Sequence, residues 1–285
     1  MISIQTYVIK MPDSQRHQGL VNSLNSMGME YKIFEAVVGE NLSDQEIRSR
    51  VNLISCEARL GYRFTKQSIG CGLSHKLIHI EALKNDYEWV LIFEEDVKLV
   101  DFNLQELEAI AKVNNSQATI IQLFSRSSRV MKSNTIENIA KSKRIVFDFE
   151  PRLIGSGASA YLINRRALID AVESELLEGP SDWPAWSSQV KFKGVYPWMV
   201  SETSAASTIP NNQIKRTEYV KRRLLQITGL HYLRYRRQYK GVKDYFKSEI
   251  IPYLVYIKWR ITGSNYYLND PHGPQVIPRI RIKLK

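Results

Sequence analysis

The chain reads as an α/β protein: a layered domain on a largely parallel sheet, followed by a basic extension. Three observations predict this. Strand-like and helix-like segments alternate through the first 180 residues, as layered α/β domains require. Residues 89–93, Trp-Val-Leu-Ile-Phe, form a continuous apolar run, the mark of a strand buried on both faces. The positive charge is gathered late. The chain of 285 residues carries a net charge of +11, but residues 215–260 alone hold +10 and residues 261–285 hold +3, leaving −2 for the first 214.

The elements follow in order. Residues 6–9 read as the first strand. Pro12-Asp13-Ser14 opens a helix whose apolar positions Leu20, Leu24 and Met27 step by four and three. Gly28 stands where a left-handed residue would end that helix. Residues 31–34 read as a second strand. Ser43 and Glu46 have the spacing of a capping box, so a short helix starts there. A longer helix is expected after Gly70, with Leu73, Leu77, Ile80 and Leu83 on one side, ending at Asn85-Asp86. The buried strand 89–93 comes next. Leu104, Leu107 and Ala111 mark another helix. Residues 118–124, 144–149 and 158–163 read as strands, the last preceded by a flexible loop at Gly155-Ser156-Gly157. A helix with Leu168, Ala171, Val172 and Leu176 follows. Residues 180–200, rich in Trp and Pro, read as loops. From Lys215 the chain mixes Arg and Lys with seven of its fifteen tyrosines, and residues 217–240 and 242–260 suit basic amphipathic helices. We therefore expect a domain over residues 1–212 and an extension over residues 213–285.

Composition narrows the function. Apolar residues make up 44% and charged residues 24%, an ordinary globular balance that excludes wholesale disorder. The two cysteines, Cys56 and Cys71, suit a reducing compartment rather than a disulfide scaffold. The richest apolar run, residues 250–257, is broken by Pro252 and falls well short of the roughly 18–20 residues of a spanning helix. The first residues lack the layout of a signal peptide. These features predict a cytoplasmic protein.

Three segments carry chemistry. Glu94-Glu95-Asp96 directly follows the buried strand, and ligands bind outside the carboxyl ends of strands in open α/β sheets. On an extended segment Glu94 and Asp96 would share a face, offering hard oxygen ligands for Mg²⁺ or Mn²⁺ with phosphate completing the shell. A solvated exit from the strand is the competing explanation. Gly70-Cys71-Gly72-Leu73-Ser74-His75 is read as a glycine-rich helix start that admits an anionic ligand. Taken singly, His75 is a hydrogen-bonded helix residue and Cys71 is packing, with no evident partner to activate it. Asp182 lies between Pro180 and Pro184 beside Trp183 and Trp186. Apolar ring faces stack on sugars while an acid deprotonates a hydroxyl; a turn aspartate is the bland alternative.

In order along the chain, these segments resemble glycosyltransferase family 25, which includes bacterial lipooligosaccharide galactosyltransferases and is related to the collagen galactosyltransferases. The resemblance rests on Tyr7-Val8-Ile9 with Arg16, Phe34-Glu35-Ala36-Val37-Val38-Gly39, Ile69-Gly70-Cys71-Gly72-Leu73-Ser74-His75 and Val90-Leu91-Ile92-Phe93-Glu94-Glu95-Asp96-Val97. Gly157-Ala158-Ser159-Ala160-Tyr161-Leu162-Ile163 and Pro180-Ser181-Asp182-Trp183 complete it. The match spans roughly residues 3–200. The family usually has Asp where this chain has Glu95, one methylene longer.

The resemblance implies a Rossmann-like, nucleotide-sugar-binding domain of GT-A type, a UDP-sugar donor and inverting transfer. It implies a β-galactosyltransferase that moves galactose from UDP-galactose to a lipopolysaccharide core sugar, with manganese or magnesium as cofactor. Asp96 and Glu94 would hold the metal. Ile9, Arg16, Ser74, His75, Glu94 and Glu95 would bind the donor, Asp182 would be the general base, and Trp183 and Trp186 would meet the acceptor. Glu202, in the segment after Val195-Tyr196-Pro197-Trp198, is a candidate extra ligand. The basic extension would place the enzyme on the anionic inner-membrane face, where polybasic segments gain about 1 kcal/mol per Lys or Arg. Two rivals stand beside this: an inactive scaffold in an envelope-assembly complex, supported by the Glu95 departure, and a nucleic-acid-binding protein, supported by the extension alone.

Overall fold

A computed structural model describes residues 3–53, 56, 64–124, 136–138, 144–148, 158–173, 175–177, 179, 190–203 and 242. Strand β1 (Ile4–Lys10) lies within an eight-stranded sheet, its residues Thr6 to Ile9 buried. Helix α1 (Gln18–Ser26) buries Leu20, Val21 and Leu24, and Gly28 ends the turn beyond it at φ 67°. Met27, expected on the buried stripe, is 39% exposed because the helix ends one residue before it. Strand β2 (Lys32–Glu35) pairs parallel with β1.

Helix α2 (Asp44–Arg50) begins with the expected capping box: the Ser43 side chain accepts from the Glu46 N–H, and Glu46 accepts from the Ser43 N–H. Helix α3 (Lys66–Lys84) starts earlier than the sequence suggests, capped by Thr65, whose hydroxyl accepts from the Ser68 N–H. Gly70 and Gly72 are therefore interior to the helix, not at its mouth. Burial explains both. A Cβ at Gly70 would overlap the Val37 carbonyl and the Gly39 nitrogen, and one at Gly72 would stand 2.8 Å from a Leu177 methyl. The expected stripe gives way to burial on several sides, including Ile69, Leu73, Ile78 and Ala82.

Strand β3 (Trp89–Glu94) is buried from Trp89 to Phe93 and pairs parallel with the other edge of β1. Strand β4 (Val97–Leu99) follows, then helix α4 (Leu104–Val113) and strand β5 (Thr119–Gln122). Strands β6 (Ile136–Asn138), β7 (Ile145–Asp148) and β8 (Ala160–Asn164) precede helix α5 (Arg165–Val172). Leu176 lies past the end of α5. Strand β9 (Lys191–Tyr196) occupies part of the stretch read as loops, and β10 (Val200–Glu202) pairs antiparallel with β4. The Trp and Pro content around β9 masked its short alternation.

The sheet order is β2-β1-β3-β8-β5-β9-β7-β6. The half built on β2, β1 and β3 is parallel as expected, whereas β8 runs against both β3 and β5, and β7 against both β9 and β6. The sheet is thus mixed, with most strands pointing one way. The chain leaves β1 to one side to form β2 and returns on the other side to form β3. That reversal makes the crevice at the carboxyl ends of β1 and β3 the topological switch point, where doubly wound sheets bind ligands. The main core covers the sheet, and a smaller cluster of Leu42, Ile47, Val51, Cys56, Phe64, Ile69, Leu73 and Leu177 packs α2 against the start of α3.

Residues 155–157, Asp182, Trp183, Trp186 and the boundary at 212 lie outside the described residues, as does the basic extension except residue 242. Among the described residues no helix is long and apolar enough to cross a membrane.

Candidate functional site

The acid triplet stands at the switch point, and its three carboxylates go three ways. Glu94 is the last residue of β3 and lies opposite Ile9 of β1 in register. Its N–H donates to the Ser159 carbonyl at 2.8 Å. Glu95 and Asp96 form the turn that leaves the strand. This turn breaks the period-two alternation, so Glu94 and Asp96 are not partners on one face as expected. Glu94 faces α3, while Glu95 and Asp96 converge on Arg16.

The Glu95 carboxylate accepts the Met11 N–H at 3.1 Å and lies 3.6 Å from the Arg16 guanidinium. Its side chain is 9% exposed. Arg16 also donates to Asp96 Oδ2 at 3.4 Å. The exit loop of β1 and the exit turn of β3 are therefore tied by one cation between two carboxylates. Glu95 uses its extra methylene in this reach back to the β1 exit. The backbone past Asp96 is held as well, because its carbonyl accepts the Thr203 N–H at 2.7 Å. Glu202, opposite Val97 in the β10–β4 register, is thereby brought beside the triplet.

A second group lines the Glu94 side. His75 Nε2 lies 3.2 Å from Glu94 Oε1, and the Cys71 thiol approaches the same oxygen at 3.8 Å. His75 Nδ1 is hydrogen-bonded to the Tyr161 hydroxyl at 2.9 Å, and His79 Nε2 meets that hydroxyl at 2.8 Å. The His75 and Tyr161 rings stack, with centroids 5.6 Å apart. Burial, aided by the charges of His75 and Lys76, pushes the His79 pKa from 6.5 down to about 3, so its ring is neutral. Cys71 thus has the partners that its sequence context did not reveal. The signal was the four-residue spacing of Cys71, His75 and His79, which places them on one helix face. Tyr161 carried no such signal, since it reaches the group through the β8–β3 pairing.

Ser74 is fully buried. Its hydroxyl donates to the Gly70 carbonyl at 2.8 Å and accepts the Val37 N–H at 2.9 Å. Together with the close approach at Gly70, it clamps residues 37–39 against α3. The structure thus brings Ile9, Arg16, His75, Glu94, Glu95 and Asp96 to one crevice and puts Ser74 behind its wall. Asp182, Trp183 and Trp186 are outside the described residues. Clustered carboxylates beside an arginine, at a switch point, suit a ligand that combines phosphate with a divalent cation.

A family model described as "Glycosyltransferase family 25 (LPS biosynthesis protein)" matches residues 3–172. No curated protein sequence matches the chain. Among solved structures, A197 from STIV is 12% identical, with 75% of this chain and all of that one covered at a TM-score of 0.35. S. aureus TarS 1-349 is 12% identical, with 94% of each chain covered at 0.37. A glycosyltransferase involved in glycosylation of the major capsid of PBCV-1 is 12% identical, with 58% of this chain and 61% of that one covered at 0.28. At these scores the structural likenesses carry no argument.

Proposed function

The chain belongs to glycosyltransferase family 25, and we propose that it moves galactose from UDP-galactose to a core sugar of lipopolysaccharide with inversion at the anomeric carbon, on a GT-A-type domain. One observation carries the assignment of the donor site: Arg16 bridges Glu95 and Asp96 at the carboxyl ends of β1 and β3.

The donor set fits a hard divalent cation, Mn²⁺ or Mg²⁺. Glu95 and Asp96 are oxygen ligands, and their two negative charges face one guanidinium, so a net negative charge is left for a cation. In this reading Asp96 is the principal ligand, with Glu95 rather than Glu94 assisting, since Glu94 faces α3. A bound cation would neutralise charge on the departing diphosphate. Arg16 takes phosphate oxygens as they enter, exchanging a carboxylate for a phosphate partner. Ile9 and the β1 exit form one wall of the donor crevice, and His75 holds Glu94 in place. Ser74 keeps residues 37–39 in position. Asp182 accepts the proton of the attacking acceptor hydroxyl, and Trp183 and Trp186 stack on the acceptor sugar. The basic extension holds the enzyme on the anionic inner-membrane face, where a lipid-linked acceptor is presented.

UDP release from UDP-galactose, with Mn²⁺ or with EDTA, tests the proposal. We expect metal-dependent release, and Asp182→Asn to cut kcat by about 100-fold or more at nearly unchanged donor affinity. Release indifferent to EDTA would contradict the metal role, and near-normal turnover of the variant would remove Asp182 as base.

A further inference from the structure

We propose that Cys71, His75 and Glu94 form a binding site for a zinc-like transition-metal ion, separate from the hard-cation site at Asp96. The three side chains present a thiol sulfur, an imidazole nitrogen and a carboxylate oxygen, all within 4.8 Å of one another. Two sit one helical turn apart on α3, and the third closes the triangle from the end of β3.

The spacing matches a tetrahedral ion. Zinc–ligand bonds of about 2.3 Å to sulfur and about 2.0–2.2 Å to nitrogen or oxygen give ligand edges of about 3.6 Å for S···O and about 3.4 Å for N···O. The observed distances are 3.8 Å from Cys71 Sγ to Glu94 Oε1 and 3.2 Å from His75 Nε2 to the same oxygen. Side chains need only small adjustments to admit the ion.

The surroundings are also those of a metal ligand. A ligating histidine is oriented by a partner on its other ring nitrogen. Here that partner is the Tyr161 hydroxyl, at 2.9 Å from His75 Nδ1 and itself met by His79 Nε2 at 2.8 Å. His79, kept neutral by burial, brings no positive charge against the ion. Cys71 is half-buried, so the site is reached from outside, and three protein ligands leave a fourth position for water or another donor.

The donor chemistry separates the two sites. Thiolate and imidazole select zinc and cobalt over magnesium and manganese, whereas the Glu95–Asp96 pair selects the reverse. An ion on Cys71, His75 and Glu94 pins the end of β3 to α3. Since Glu95 and Asp96 follow at once, it also fixes where the acid pair leaves the sheet.

The test uses Co²⁺ alone as the probe on the full-length, reduced protein. We expect one equivalent of Co²⁺ to produce a thiolate-to-cobalt charge-transfer band with visible bands of tetrahedral intensity. Zn²⁺ should bleach them and raise the melting temperature; excess Mg²⁺ or Mn²⁺ should not. Cys71→Ser should abolish the charge-transfer band, whereas Cys56→Ser, at the other cysteine, should keep it. Tyr161→Phe should weaken Co²⁺ binding by about tenfold. Asp96→Ala should leave the band intact, so the proposal stands or falls apart from the donor-site assignment. Absence of the band from the wild-type protein, or its persistence in Cys71→Ser, would overturn the site and leave a hydrogen-bonded cluster only.

Discussion

His79 is the side chain whose burial costs the most in protonation freedom. Its ring is 4% exposed, and burial, then His75, then Lys76, lower its pKa from 6.5 to about 3. The unfolded chain takes up a proton near pH 6.5, and the folded chain does so only near pH 3. The folded state therefore keeps its full stability above about pH 7. It loses stability as pH falls from 6.5 toward 3, by up to about 1.4 kcal/mol per pH unit from this residue. His79→Gln retains a donor for Tyr161 but does not titrate. Urea unfolding at pH 7 and pH 5 should show a smaller loss in the variant than in the wild type; equal losses would contradict the account. Arg16 shows the same scale from the opposite side, since its charge is held by Glu95 and Asp96 rather than hidden.

Helix α3 is the element on which the site depends, because it carries Cys71, Ser74 and His75 and meets residues 37–39 along Gly70. A methyl group at Gly70 has no space, as the Val37 carbonyl and Gly39 nitrogen already occupy it. Gly70→Ala should cost about 1–3 kcal/mol by overpacking, although alanine is the better helix former. Thermal unfolding checks this; an unchanged or raised melting temperature would show that the clamp is loose. The same helix shows what the sequence disclosed and what it hid. Its C-terminal end at Asn85 and the capping box of α2 were legible, because caps are local chemistry. Its start at Lys66 was not, because glycines interior to a helix report a close neighbour, and that neighbour is forty residues away in fold logic only. Tyr161 was hidden for a like reason: strand pairing, not sequence spacing, brings it to His75. Strand β9 was obscured by its Trp- and Pro-rich surroundings.

At the scale of the whole molecule, the switch point between β1 and β3 collects residues from two distant segments. The strand-end acids and Arg16 were legible as candidates, but the turn after Glu94 decided that Asp96 pairs with Glu95 through Arg16 rather than with Glu94. The charge asymmetry is the other global feature, with the excess positive charge held after residue 214. If the extension seats the enzyme on an anionic membrane, the full chain should sediment with phosphatidylglycerol-containing vesicles at low salt and be released by raising salt. Binding to neutral vesicles as well, or to neither, would contradict a polybasic contact.

The central claim is that the carboxyl ends of β1 and β3 hold a nucleotide-sugar donor through Asp96. Calorimetric titration of UDP in the presence of Mn²⁺, into the wild-type protein and into Asp96→Ala, tests it most directly. The account predicts binding by the wild type that is lost in EDTA and absent from the variant. Equal binding by both proteins would contradict it, and the donor would then have to be sought away from the acid triplet.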